Sequence, residues 1–204
     1  SVNVDHPVGL GLNVWGNFDL ESWDSNGDGT NEVQSGEMSE VDLTLYYSIP
    51  VEQVDLDVGY ISYLFPEGGP STRELYLSVS KNLGLMRMVF ANIPTGILED
   101  IGWGLFFAYD VDEVDDYYSN ASLSYGWDVS EEWNVELSGK IGYVGSDWSR
   151  AVNGGTGSGF NEWQVNLAGT YQIAESTGLV LFASYVDSLD KDVLPTQPVD
   201  FLGG

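Results

Sequence analysis

The stretch Trp133–Tyr143, WNVELSGKIGY, alternates apolar and polar residues along its whole length. Because successive side chains of a β-strand point to opposite faces of the sheet, one face of this strand is apolar and the other is polar. An aromatic residue stands at each end of the apolar face, and the two are ten residues apart. That separation corresponds to about 33 Å along a strand, or about 25 Å of height at a tilt of about 40°. The stretch therefore fits the apolar band of an outer-membrane barrel, which carries an aromatic girdle at each interface.

Similar alternation predicts nine further strands, separated by turn residues. Tight turns alternate with longer polar loops, as in outer-membrane barrels, so we predict an all-β, antiparallel, up-and-down transmembrane barrel. The connection Lys81–Ile101 is long on the short-turn side, and within it Leu83–Ile93 favours a helical or irregular turn over an extra strand pair. The ten predicted strands are Ser1–His6, Val8–Leu20, Ser39–Ile49, Val54–Phe65, Arg73–Ser80, Gly102–Asp110, Tyr117–Asp128, Trp133–Tyr143, Phe160–Ile173 and Gly178–Asp187.

The direction of the strands suggests that the barrel has more than ten of them. With the short turns in the periplasm, both ends of the ten-stranded unit lie on the extracellular side, whereas such barrels hold both termini in the periplasm. One further strand at each end gives twelve, an even number as expected. Residues 189–204 contain two prolines and end in Gly-Gly, which favours a loop-like tail over a last strand. We therefore expect one barrel domain over residues 1–204, with terminal strands missing from this sequence.

Several segments resemble the TorF-like family of bacterial outer-membrane porins. The resemblance covers roughly the whole chain, although its motifs are strand and loop patterns rather than catalytic signatures. It implies a barrel of about twelve strands, with one strand before Ser1 and another after Gly204, and a transport function assigned mostly by analogy. The segments that carry it are Gly11–Leu20 (GLNVWGNFDL), Glu40–Tyr46 (EVDLTLY), Gly59–Pro66 (GYISYLFP), Arg73–Val79 (RELYLSV) and Ala108–Asp116 (AYDVDEVDD).

The composition is strongly acidic and narrows the possible partners. The sequence has six basic and 32 acidic residues, which gives a formal net charge of −26. Such a surface repels nucleic acid and attracts cations. The hydrophobic fraction of 43% and the aromatic fraction of 13% argue against disorder. The sequence has no run of 18 apolar residues, so it predicts no transmembrane helix.

The polar faces of the predicted strands carry the acidic residues that would line the barrel interior, with Lys140 as the one base. A narrow lumen lined in this way favours cations and excludes anions, whereas the plainer alternative is a solvated face without a role in selectivity. Aromatic residues on the same face, such as Tyr76 and Phe106, could instead fill a small barrel and leave no open channel. The predicted lumen-facing acidic residues are Asp42, Asp55, Asp57, Glu74, Asp110, Asp128 and Glu136.

The apolar faces carry aromatic residues that we predict to form two membrane girdles. The aromatic ends of Tyr117–Trp127 are also ten residues apart, and this strand runs in the opposite direction to Trp133–Tyr143. A third strand has a similar span from Trp163 onward. The predicted girdle residues are Trp127, Trp133 and Tyr171 on the short-turn rim, Tyr117, Tyr143 and Tyr185 on the long-loop rim, and Trp163.

One acidic loop resembles a calcium-binding loop. Oxygen-bearing residues at alternate positions are followed by glycine at the sixth position, as at the start of an EF-hand. The twelfth position is Ser35 instead of glutamate, so Glu32 or Glu37 would have to substitute, and an acidic turn without metal is the alternative. The predicted ligands are Asp24, Asn26, Asp28, Thr30 and Glu32. A weaker candidate, which a solvated loop also explains, is formed by Asp110, Asp112, Glu113, Asp115 and Asp116.

Catalysis has little support, because the single histidine, His6, stands beside Pro7 at a turn, and we predict no catalytic residue. We expect a barrel in the outer membrane of a Gram-negative bacterium that contacts the lipid bilayer and passes small solutes or cations. One alternative is a closed structural or adhesive surface barrel that acts through its acidic loops. A second is a soluble acidic β-sandwich. The solute, the oligomeric state and the binding of calcium stay open.

Overall fold

The computed structural model describes residues 1–20, 22, 35–66, 70–86, 99–174 and 177–195. Every predicted strand is present, and each begins and ends within two residues of its predicted bounds. The strands are β1 (Val2–Asp5), β2 (Leu10–Phe18), β3 (Met38–Ile49), β4 (Asp55–Leu64), β5 (Thr72–Asn82), β6 (Ile101–Asp110), β7 (Tyr117–Asp128), β8 (Trp133–Val144), β9 (Gly159–Ala174) and β10 (Thr177–Ser188).

All ten strands form one antiparallel sheet in which spatial order follows chain order. This confirms the predicted all-β, up-and-down architecture. Within the described ranges β1 and β10 do not pair with each other, so the sheet is open at both edges. One continuous sheet also differs from the two packed sheets that a β-sandwich requires.

The distribution of side chains between the two faces is inverted relative to that of a soluble sheet. On one face, large apolar residues are exposed, including Leu45 at 54%, Leu75 at 54% and Leu123 at 57%. On the other face, Glu74 is only 8% exposed and Asp110 only 1%. A soluble antiparallel sheet buries its apolar face and exposes its polar one. We refer to these as the apolar face and the polar face.

The longer connections are partly ordered by short helical turns. A 3₁₀ turn, Leu83–Met86, agrees with the turn predicted for Leu83–Ile93, whose remaining residues lie outside the described ranges. After β8 a single α-helical turn, α1 (Ser146–Trp148), runs into a π-helical turn, Ser149–Asn153. Of the helices that the structure describes, none is both long and apolar enough to cross a membrane.

Tyrosine rings on the polar face lean across neighbouring strands onto glycines. Tyr76 of β5 is the register partner of Gly59 of β4, and its ring occupies the space that a side chain at Gly59 would need. A Cβ atom built there would collide with this ring and lie 2.7 Å from the carbonyl oxygen of Leu45. Glycine at this position thus allows the tyrosine to pack against the sheet.

We expect Gly59→Ala to lower the free energy of unfolding by about 1–3 kcal/mol, because both the ring and a backbone oxygen would have to shift. Gly126→Ala is the matched control, since a Cβ at Gly126 would meet only the carbonyl oxygen of Val135, at 4.0 Å. It should change stability by no more than about 0.5 kcal/mol. Urea unfolding followed by tryptophan fluorescence measures both variants, and equal effects would contradict the proposed packing.

Candidate functional site

The most buried charged groups among the described residues gather at the long-loop end of the polar face. Six strands and the loop after β8 contribute to this group, which combines carboxylates with aromatic rings and one lysine. We call it the carboxylate–aromatic cluster. Its members are Tyr63 on β4, Glu74 on β5, Asp110 on β6, Tyr118 on β7, Lys140 on β8, Glu162 on β9 and Trp148 in α1.

Glu74 lies at the centre of the cluster and is the register partner of Asp110 on the neighbouring strand. The Tyr63 hydroxyl donates a hydrogen bond to Glu74 Oε2 at 2.9 Å. The Trp148 side chain lies beside the same carboxylate. The Tyr63 hydroxyl stabilises a carboxylate that burial would otherwise penalise. It also fixes the position of its charge on the polar face.

Asp110 organises the loop that joins β6 to β7. Its Oδ1 accepts hydrogen bonds from the backbone N–H groups of Asp112 at 2.9 Å and Val114 at 3.0 Å. Its Oδ2 accepts a hydrogen bond from the Thr72 hydroxyl of β5. Asp110 is only 1% exposed. Both of its carboxylate oxygens accept hydrogen bonds, as buried polar groups generally do.

A third carboxylate is held on the far side of the cluster. Glu162 is 6% exposed, and its Oε1 accepts a hydrogen bond from the Tyr118 hydroxyl at 2.8 Å. Lys140 Nζ lies 3.4 Å from the same oxygen and 5.9 Å from the centre of the Tyr118 ring. The positive charge of Lys140 therefore offsets one of the three buried carboxylates, so the cluster keeps a net negative charge.

The loop after β8 is anchored at the cluster by Asp116. Asp116 Oδ2 accepts hydrogen bonds from the backbone N–H groups of Asp147 at 2.8 Å and Trp148 at 3.1 Å. A side chain at Gly145 would collide with this carboxylate, so the close approach requires glycine. The Trp148 ring then lies 5.4 Å from the Tyr118 ring, centre to centre.

The segment after β10 holds the other end of the same loop. The Ser149 hydroxyl donates to the carbonyl oxygen of Val193 at 2.8 Å, and Asn153 Nδ2 donates to the same oxygen at 3.1 Å. Val193 itself is only 1% exposed. Residues 189–195 contain no strand, and Val193 packs against the loop.

The predicted acidic residues lie on the polar face, but they are not spread evenly along it. The strand register places them in two groups, and neutral residues such as Ser122, Ser124 and Ser138 occupy the polar face between them. The long-loop group is Asp42, Glu74 and Asp110, and the short-turn group is Asp55, Asp57, Asp128 and Glu136.

Sequence reasoning missed Glu162, Tyr118 and Trp148 as members of the site. Glu162 and Tyr118 follow from the alternation, because each adjoins an apolar-face aromatic residue in its strand. Trp148 lies in a loop without periodicity. Its contact with Glu74 joins residues far apart in the chain, so no local signal reveals it.

The predicted girdle residues pair with one another across the apolar face. Trp133 and Tyr171 have ring centres 5.0 Å apart near the short-turn end, and Tyr125 and Trp127 lie beside them at 5.7 Å. Toward the long-loop end the pairs are Tyr117 with Tyr143 at 6.3 Å, Tyr143 with Phe160 at 5.4 Å, and Trp163 with Tyr185 at 5.3 Å. Aromatic residues thus cluster toward both ends of the apolar face.

The two predicted metal sites have different outcomes. Residues Asp24, Asn26, Asp28, Thr30 and Glu32 lie outside the described residues, so calcium binding there stays a prediction. In the second candidate, the carboxylates instead hold the loops: Asp112 pairs with Arg73 at 3.0 Å, and Asp115 accepts from the Tyr109 hydroxyl at 2.9 Å. Within the described ranges, no group of three or more histidine, cysteine or acidic side chains could hold a metal ion.

Comparisons with protein-family models, curated proteins and solved structures found no match to this chain. The function must therefore be inferred from the sheet, its two faces and the carboxylate–aromatic cluster.

Replacing Asp116 with alanine should release the loop after β8. We expect Asp116→Ala to lower the free energy of unfolding by about 1–3 kcal/mol, because it removes the acceptor for two backbone N–H groups. Glu113→Ala removes the same charge from the same segment and should cost less than about 0.5 kcal/mol. Thermal or urea unfolding tests both, and a loss no larger for Asp116→Ala than for Glu113→Ala would contradict the anchoring role.

Proposed function

We propose that this chain forms a β-barrel in a bacterial outer membrane and passes small solutes, cations in particular, along its polar face. The observation that carries the proposal is the inverted sheet, with its apolar side chains exposed and its carboxylates buried. In a bilayer the exposed face meets hydrocarbon, which removes the cost of exposing it to water. The polar face then lines a water-filled interior.

The aromatic clusters support the membrane position. Tryptophan and tyrosine favour the interface between hydrocarbon and headgroups, where one side of the ring is apolar and the polar group meets water. Clusters such as Trp133–Tyr171 and Tyr117–Tyr143 stand about one hydrocarbon thickness apart along β8. These distances match two girdles, as the sequence predicted.

A membrane barrel requires that the edges of β1 and β10 be paired. An open edge leaves backbone N–H and C=O groups without partners, and hydrocarbon offers none. Two further strands, as in the twelve-stranded TorF-like barrels that this sequence resembles, would pair both edges. The resemblance is thus part of the proposal.

Charge on the polar face supports a preference for cations. Acidic residues stand near both ends of that face, and Lys140 in the cluster is already paired with Glu162. A confined lumen of negative potential raises the local concentration of cations and repels anions. Calcium binding at Asp24–Glu32 remains an additional proposal for the loop side.

Placing arginine at the centre of the apolar face tests the membrane position. Leu123 is 57% exposed, so Leu123→Arg would be tolerated by a protein in water. In a bilayer we expect it to cost about 2–4 kcal/mol of folding free energy. Val129→Arg is the control, because Val129 lies in the turn after β7 and is 63% exposed. Folding into phospholipid vesicles measures both, and equal tolerance would overturn the proposal.

Neutralising Glu74 tests the selectivity. A unit charge about 10 Å from a passing ion, at an effective dielectric constant of about 50, contributes roughly 0.7 kcal/mol, or about threefold in permeability. We therefore expect Glu74→Gln to lower the cation-to-anion permeability ratio about threefold in planar bilayers at low salt, where screening is weak. Glu113→Gln, in the loop after β6, should have a smaller effect. An unchanged ratio in Glu74→Gln would contradict cation selection by the polar face.

A closed surface barrel is the second candidate function. It is favoured by the loop after β8, because the Trp148 side chain lies beside Glu74 and its ring lies 5.4 Å from the Tyr118 ring over the polar face. A closed barrel would act through its acidic loops in a structural or adhesive role. Folded wild-type protein that inserts into bilayers without conducting would favour this candidate over the porin.

A further inference from the structure

We propose that Trp148 sets the size limit for the cations that pass along the polar face. This inference rests on the proposed function and names the residue that determines its specificity. Trp148 lies in a loop and is not one of the residues predicted to line the barrel interior. Its position on the polar face therefore needs an explanation of its own.

The position of Trp148 follows from its partners on two strands. Its side chain lies beside Glu74 on β5, and its ring lies 5.4 Å from the ring of Tyr118 on β7. The strand between them is β6, where Ala108 is the register partner of both Tyr76 and Tyr118. Ala108 is 1% exposed although its own side chain is small. The indole therefore spans β6 and projects from a loop onto the polar face.

The indole is held in place from both sides of the loop. Asp116 binds the backbone N–H of Trp148 itself, and Ser149 and Asn153 bind the segment after β10 through Val193. A ring held by its own backbone and by the Tyr118 ring, which is tilted 37° to it, is a permanent obstruction. Its size then decides what passes.

The surroundings of Trp148 carry bulkier side chains than the cavity near the short turns. Bulky rings crowd the long-loop end, where the Phe106 ring lies 5.5 Å from Tyr76 and 6.3 Å from Tyr118. Toward the short turns, small residues such as Ser80, Gly104 and Ser122 line a cavity of about 360 Å³. Trp148 thus stands at a crowded part of the polar face, beside the Glu74 carboxylate.

The chemistry at this place suits cations with apolar substituents. Aromatic faces attract ammonium groups, and the neighbouring carboxylates of Glu74 and Glu162 add charge attraction. Among cations of equal charge, the size of the ion then decides which of them pass. A graded series of ammonium, tetramethylammonium and tetraethylammonium ions separates the steric effect from the effect of charge.

The experiment compares Trp148→Ala with wild type in planar bilayers, using the three ions as chloride salts. We expect Trp148→Ala to raise tetraethylammonium permeability relative to ammonium at least about tenfold, a change of about 1.4 kcal/mol in the barrier. The cation-to-anion ratio should stay unchanged, because no charge is removed. Trp148→Phe, which keeps an aromatic ring on Tyr118, should give a smaller increase and also serves if the alanine variant does not fold. Phe107→Ala, on the apolar face of β6 and 45% exposed, is the matched control and should leave the relative permeability unchanged.

Each outcome decides between the inference and the function on which it rests. If wild type conducts and neither Trp148 variant changes the relative permeability to tetraethylammonium, the inference is wrong and the porin proposal stands. If wild type is closed and Trp148→Ala conducts, Trp148 obstructs the barrel and the porin proposal fails in favour of a closed barrel. If folded, inserted wild type and both Trp148 variants all fail to conduct, both proposals are wrong.

Discussion

The rest of this structure depends on the exposure of one whole face of leucine, valine and aromatic side chains. In the described residues only Ala108, Val144 and Val193 are buried hydrophobic residues, so the sheet has no apolar protein core to hold it together. Burial of apolar surface is ordinarily the largest favourable contribution to folding. Here that contribution must come from whatever covers the exposed face. A bilayer supplies such a cover, because hydrocarbon is as apolar as the side chains themselves.

The polar face is organised by hydrogen bonds instead. Glu74, Asp110 and Glu162 are each held by donors on other strands or loops, and Tyr118 connects Glu162 to the ring of Trp148. Buried carboxylates tolerate this setting because each has a hydrogen-bond donor. The loop after β8 is part of the same network through Asp116. Stability and the geometry of the site therefore depend on the same few contacts.

Sequence alone predicted the strands well because alternation is a local property. The pattern of Trp133–Tyr143 sets its two faces whatever it pairs with, and β8 was found at Trp133–Val144. The same alternation places the predicted acidic residues on the polar face. Their division into two groups required the register of neighbouring strands, which alternation does not give. The helical turn Ser146–Trp148 and its contact with Glu74 were missed, because the loop has no periodic pattern and its partners lie on distant strands.

The agreement between strand order and chain order has a consequence for how this sheet forms. Each strand pairs only with its neighbours along the chain, so every pairing closes a loop no longer than one connection, and the entropy lost at each step is small. The sheet can thus grow one hairpin at a time from any starting pair. At every stage the growing sheet still presents two unpaired edges, whatever number of strands it has added. The hazard of pairing with another chain is therefore constant while the sheet grows, and only the pairing of the outermost strands would remove it.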